Sequence, residues 1–142
     1  MSLNLLVVDD SAVMRSMIIK TLRLSGVELG ELYEAANGLE GLRVLEANHV
    51  DLVLVDINMP VMNGEEMIEK MRANPETVFV PVMVVSTDGS AACQEMARRH
   101  GAQFVHKPFT PEKMRDMIRG MMGVTNDGIP ESRAVSSDGP DF

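Results

Sequence analysis

Residues 51–60 read Asp-Leu-Val-Leu-Val-Asp-Ile-Asn-Met-Pro. Leu52 to Val55 form a short, continuous apolar run rich in β-branched side chains, which predicts a strand buried on both faces. Asp56 ends the run. A carboxylate directly after a buried parallel strand lies at the carboxyl edge of the sheet, where open α/β sheets build their ligand sites. A lone Asp at this position also reads as the start of a turn before Met59-Pro60. Repetition along the chain separates the two readings.

Three more apolar runs end in a polar residue. Leu5 to Val8 runs into Asp9 and Asp10, Val80 to Val85 into Ser86, and Phe104 to His106 into Lys107. If the four runs are parallel strands of one sheet, three carboxylates, a hydroxyl and an ammonium converge on a single edge.

The chain has 142 residues, enough for one domain with a proper core, and 45% of them are hydrophobic. No apolar run approaches the roughly 18 residues of a membrane span, so no membrane insertion is expected. The amino terminus lacks a basic segment and enters a strand-like run at once, which argues against a secretory signal. A single cysteine, Cys93, excludes an internal disulfide and suits a reducing compartment, so the expected location is cytoplasmic. A net charge of −8, with no Trp and one Tyr, provides neither a basic patch nor a stacking platform, so no nucleic-acid partner is expected. The thirteen methionines fit gap-filling in the core or an adaptable binding surface, and gap-filling is the simpler reading.

Strand-like runs alternate with amphipathic helical patterns, the signature of βαβ units around a parallel sheet. The first strand is placed at residues 3–8. A helix over 12–24 turns Met14, Met17, Ile18, Thr21 and Leu22 to one face, is capped by Asp10 or Ser11, and ends at Gly26. A more polar strand at 31–36 suits a sheet edge. A helix from Asn37-Gly38 places Leu39, Leu42 and Leu45 inward. After the strand at 52–55, a helix over 64–72 buries Met67, Ile68 and Met71 and stops at Asn74-Pro75. A strand at 80–85 tolerates Pro81 at its start. The helix near 90–100 has mainly Ala92, Cys93, Met96 and Ala97 to bury and is expected to be the loosest. A strand at 102–106 precedes a helix capped by Thr110 with Pro111 at its first position and an inward stripe of Met114, Met117, Ile118 and Met121. Residues 1–122 thus read as one domain, and 123–142 as a tail or linker rich in Gly, Ser, Asp and Pro that docks on this domain or on a neighbour.

Asp9, Asp10 and Asp56 brought together would repel one another unless a cation neutralised them. An oxygen-only ligand set with few protein donors suits Mg²⁺. Lys107 and Ser86 suit the non-bridging oxygens of a phosphoryl group, one as a point charge and the other as a hydrogen-bond donor. That leaves a carboxylate free to act as a nucleophile and form an acyl phosphate. His49, His100 and His106 share no metal-ligand spacing and read as incidental; Cys93 reads as a small helix residue.

Val7-Val8-Asp9-Asp10-Ser11 with Met14-Arg15, Val55-Asp56-Ile57-Asn58-Met59-Pro60 with Asn63-Gly64, Ser86, and Lys107-Pro108-Phe109 occur in this order over residues 3–122. In that combination the chain resembles a response-regulator receiver domain of the single-domain chemotaxis type. The resemblance implies a doubly wound, flavodoxin-like α/β fold with five helices around a five-stranded parallel sheet of order 2-1-3-4-5. It further implies that Asp56 accepts a phosphoryl group from a sensor histidine kinase and that Asp10, Asp56 and the backbone carbonyl of Asn58 hold Mg²⁺, with Asp9 acting through metal-bound water. Lys107 would pair with the phosphoryl group, and its bond to Pro108 would be cis. Ser86 and Phe104 would be the switch residues, reshaping the face made by the fourth helix, fifth strand and fifth helix. Asn58 and Asp88 would flank the path of attacking water.

Two features depart from that pattern. Phe104 lacks the phenolic hydroxyl of relatives that bind the flagellar motor, which leaves motor binding and the downstream target open. The segment after residue 122 exceeds a minimal receiver and fits a regulatory extension or a linker to an absent output domain. Two competing classes remain: a docking receiver that is never phosphorylated, which has no need of the complete acidic, hydroxyl and Lys set, and a Mg²⁺-dependent phosphohydrolase. The second would call for an acid two residues after Asp56, where Asn58 stands.

Overall fold

The computed structural model describes residues 2–123; the tail or linker expected from residue 123 onward, and its docking, lie outside the described residues except for Gly123 itself. The elements are β1 (Leu3–Val8), α1 (Ala12–Leu24), β2 (Leu29–Ala35), α2 (Gly38–Ala47), β3 (Leu52–Val55), α3 (Gly64–Arg72), β4 (Val82–Ser86), α4 (Ala91–Arg99), β5 (Gln103–His106) and α5 (Pro111–Met121). The strands form one parallel sheet in the order β2-β1-β3-β4-β5, the doubly wound arrangement expected.

Apolar surface dictates this layering. Every residue of β3 and β4 is buried, because helices cover both faces of the sheet. One face carries Leu6, Val8, Val53, Val55, Val82 and Val84 against Met67, Ile68 and Met71 of α3 and Cys93 and Ala97 of α4. The other carries Leu5, Val7, Leu52, Leu54, Met83 and Val85 against Ile18 and Leu22 of α1 and Met114 and Ile118 of α5. Alternate residues of each strand supply the two cores. Met67, Met71, Met83 and Met114 are fully enclosed, so at these positions methionine is core material.

Local chemistry sets the helix starts. Ser11, Asn37, Asn63, Ser90 and Thr110 each accept a backbone N–H three residues on, and Asn63 and Glu66 form a reciprocal capping box. Of the two caps considered for α1, Ser11 serves, and the Asp10 carboxylate is left for other work. Gly26 adopts φ +88 just past α1, as its capping role requires.

Three side chains expected to face inward do not. Met17 is 57% exposed, because the stripe of α1 runs through Ile18 and Leu22. Leu39 is only half-buried: the covered stripe of α2 passes through Gly38 and Gly41, with Leu42 and Leu45 packing on the core, and Leu39 lies about 100° further round. Ala92 is exposed, since α4 meets the sheet through Cys93, Met96 and Ala97. Boundaries shift as well. Edge strand β2 begins at Leu29 and not at residue 31, and β4 begins after Pro81 and includes Ser86.

Candidate functional site

Register brings the polar strand ends together. Val8 pairs with Val55 and Val55 with Val84, so Asp9 and Asp56 leave the sheet side by side, with Ser86 two residues beyond Val84 on the next strand. Ser86 pairs with His106, which delivers Lys107 at the same edge.

Asp9, Asp10 and Asp56 each present a carboxylate oxygen within 4.8 Å of the others. Lys107 Nζ lies 3.2 Å from Asp9 Oδ2, and both residues are buried. Asp9 Oδ1 accepts the Ser11 N–H at 2.9 Å, and Asp56 Oδ1 accepts the Ile57 N–H at 2.9 Å. Asp10 is exposed and Asp56 half-buried, which leaves the cluster open on one side. Burial raises the Asp56 carboxyl above its ordinary value; Lys107 opposes that rise, Asp9 adds to it, the Ile57 N–H opposes it and Asp10 adds to it. Three carboxylates against one ammonium leave a negative pocket of oxygen donors, which fits a hard divalent cation such as Mg²⁺.

The remaining predicted residues are placed less tightly. Ser86 is buried at the neighbouring strand end, and its Oγ accepts the Asp88 N–H at 3.0 Å. Asn58 is exposed in the loop after β3. Asp88 is exposed, with its carboxyl held below the ordinary value chiefly by the Ser90 backbone N–H. Phe104 is half-buried against the core on the α3–α4 face, its ring centroid 6.5 Å from that of His106. The Lys107–Pro108 peptide bond is cis.

Two supporting residues had no role assigned from sequence. Arg15 Nη1 donates to the Asp9 carbonyl while its Nε donates to Glu34 Oε1 at 2.8 Å, so the end of β1 is held from α1 and β2 together. Gly64 packs so closely on β3's exit that a Cβ there would stand 2.2 Å from the Asp56 carbonyl oxygen. Its signal was the Asn63-Gly64 pair, which reads equally well as a plain helix start.

A family model for the response regulator receiver domain matches residues 5–119, and the chain belongs to that family. It is 38% identical over 127 residues to chemotaxis protein CheY1 of Helicobacter pylori, a match covering 88% of this chain and all of the relative. The structure of chemotaxis protein CheY4 of Vibrio cholerae superposes with a TM-score of 0.75 at 30% identity, covering 85% of this chain and 99% of that one. The receiver domain of sensor histidine kinase PA1611 from Pseudomonas aeruginosa, which holds a magnesium ion in its active-site cleft, shares the fold at a TM-score of 0.74 and 22% identity, over 85% and 98% of the two chains. Receiver domains act on themselves and are not turnover enzymes. Among the described residues no helix is long and apolar enough to cross a membrane.

Proposed function

We propose that this chain is a phosphoryl-accepting response regulator of a chemotaxis-type two-component system, working in the cytoplasm with Asp56 as the acceptor. The observation that carries the reading is the convergence of Asp9, Asp10 and Asp56 within 4.8 Å, with Lys107 3.2 Å from Asp9. The ionised Asp56 oxygen attacks the phosphorus of a phosphohistidine on a sensor histidine kinase. The new O–P bond replaces the P–N bond, and the imidazole leaves. No general base is needed, because the nucleophile is already an anion.

Asp10, Asp56 and the Asn58 carbonyl are the residues that would hold Mg²⁺, with Asp9 contributing through metal-bound water. When bound, the ion supplies positive charge against the phosphoryl oxygens. Lys107 supplies the second positive charge from the buried side, held in place by Asp9. Ser86 then acts as the switch hydroxyl. Turning toward the phosphoryl group releases the Asp88 N–H that its Oγ now accepts, freeing the start of the loop into α4. Phe104 follows inward, and the face of α4, β5 and α5 changes shape for a downstream protein.

The test is intact mass after incubation with acetyl phosphate and Mg²⁺, with and without EDTA, on wild type and Asp56→Asn. A single added phosphoryl group that needs both the metal and Asp56 supports the proposal. Failure to gain it while Mg²⁺ still binds would establish a docking receiver, and repeated turnover of phosphate monoesters would establish a phosphohydrolase.

A further inference from the structure

A second group of potential metal ligands shares no residue with the cluster of Asp9, Asp10 and Asp56. Glu65 and Glu69 stand one turn apart on α3, and His100 caps the carboxyl end of α4; one ligand atom from each lies within 4.8 Å of the others. His100 Nε2 is 3.4 Å from Glu65 Oε2 and 4.0 Å from Glu69 Oε2. Both separations are long for an N–H···O bond, whose usual length is about 2.9–3.0 Å. By contrast, the exposed His49–Asp51 pair closes to 2.9 Å. Ligands at about 2.1 Å around a tetrahedral zinc ion stand about 3.4 Å apart, which is the spacing seen between His100 and Glu65.

The backbone that carries the imidazole is also held in advance. The His100 side chain is only 19% exposed, and its backbone carbonyl accepts Arg72 Nε from the end of α3 at 2.8 Å. Its backbone N–H points back to Met96 and Ala97 of α4. Arg99 Nη2 lies 3.1 Å from Glu65 Oε2 and is the cation that an ion would displace; at 54% exposed it can swing into solvent.

We propose that Glu65, Glu69 and His100 form a second metal site, selective for a borderline divalent ion of the zinc class. Two carboxylates and an imidazole with a fourth position for water match the donor preferences of Zn²⁺, whereas Mg²⁺ favours six oxygens. The two sites therefore sort their metals by ligand chemistry. Zinc bound here ties the first turn of α3 to the end of α4.

The test is calorimetric titration of the full chain with Zn²⁺ in saturating Mg²⁺, which occupies the all-oxygen cluster, on wild type, His100→Ala, Glu69→Gln and His49→Ala. One Zn²⁺ per wild-type chain is expected, unchanged in His49→Ala. His100→Ala and Glu69→Gln should each weaken binding by at least about tenfold, the lower end of what loss of even an outer partner costs a metal site. With Co²⁺ in place of Zn²⁺, the visible absorption of a nitrogen-containing tetrahedral site should appear in wild type and vanish in His100→Ala. Absence of Zn²⁺ binding in wild type overturns the proposal, as does binding that both variants retain. If His100→Ala does not fold by circular dichroism, the exposed Glu69→Gln decides alone.

Discussion

Lys107 and Asp9, ninety-eight positions apart in the chain, meet as a buried ion pair with Nζ 3.2 Å from Oδ2. The contact spans the sheet edge from the end of β5 to the end of β1 and closes one wall of the acidic pocket. Breaking a buried pair strands a charge away from water, which costs about 3–5 kcal/mol. Lys107→Ala strands the buried Asp9 carboxylate and should therefore destabilise the metal-free protein by about 3 kcal/mol. Much of that loss should return in the Lys107→Ala, Asp9→Asn double variant. Urea unfolding in EDTA measures both; additive losses would mean that the pair is not coupled.

Burial and the neighbouring carboxylates raise the Asp56 carboxyl, and the sign of the consequence is definite. A group whose folded value is raised stabilises the fold fully below its unfolded value, and that contribution disappears as pH rises through the folded value. At neutral pH the ionised Asp56 thus opposes folding of the metal-free chain. Asp56→Asn should unfold at higher urea than wild type at neutral pH in EDTA, with the gap narrowing in mild acid. Acyl phosphate formation should fall as Asp56 takes up a proton, and at lower pH than the metal-free chain titrates, because bound Mg²⁺ favours the nucleophilic anion.

Mg²⁺ should remove the penalty that the clustered carboxylates impose. At a hundredfold excess over its dissociation constant, a ligand specific to the folded state adds about 2.7 kcal/mol. A gain of that size in the unfolding free energy from urea titration is expected for wild type, and a much smaller one for Asp10→Asn. An equal gain in both would place the ion elsewhere.

Gly64→Ala separates local propensity from tertiary fit. Alanine is the better helix former by up to about 1 kcal/mol, so propensity alone predicts a gain in stability. A Cβ 2.2 Å from the Asp56 carbonyl oxygen predicts the reverse, a loss of about 1–3 kcal/mol with slower phosphorylation as the end of β3 is displaced. Thermal unfolding combined with the acetyl phosphate assay decides between them.

Helix α4 buries only Cys93, Met96 and Ala97, whereas α3 of the same length buries the larger Met67, Ile68 and Met71. Amide exchange in α4 should be faster than in α3 under native conditions. Equal protection of the two helices would refute the argument from side-chain size.

Most of the fold was legible because its causes are short-range. A continuous β-branched run cannot stay in water and marks a doubly covered strand, as Leu52–Val55 does. Thr110 before Pro111, and Asn63 three residues before Glu66, start helices through hydrogen bonds that need no distant partner. The polar residue closing each run was legible on the same terms, so Asp9, Asp56, Ser86 and Lys107 could be assigned to one edge once the strands were taken as parallel.

Packing decided the rest. Met17, Leu39 and Ala92 look as apolar as their neighbours in sequence, and only the rotation of each helix against the sheet sends them outward. No local pattern tells Ser86 Oγ to accept the Asp88 N–H, or Arg15 to hold the Asp9 carbonyl while pairing with Glu34. His100, incidental by spacing, joins Glu65 and Glu69 because α3 and α4 lie side by side on the sheet. The sequence by itself determined which segments become strands and helices and which polar groups stand at their ends, since propensity, capping and burial period act over a few residues. Tertiary structure alone decided which of those groups touch, because distances between side chains on separate elements depend on strand register and helix rotation, which the whole core sets at once.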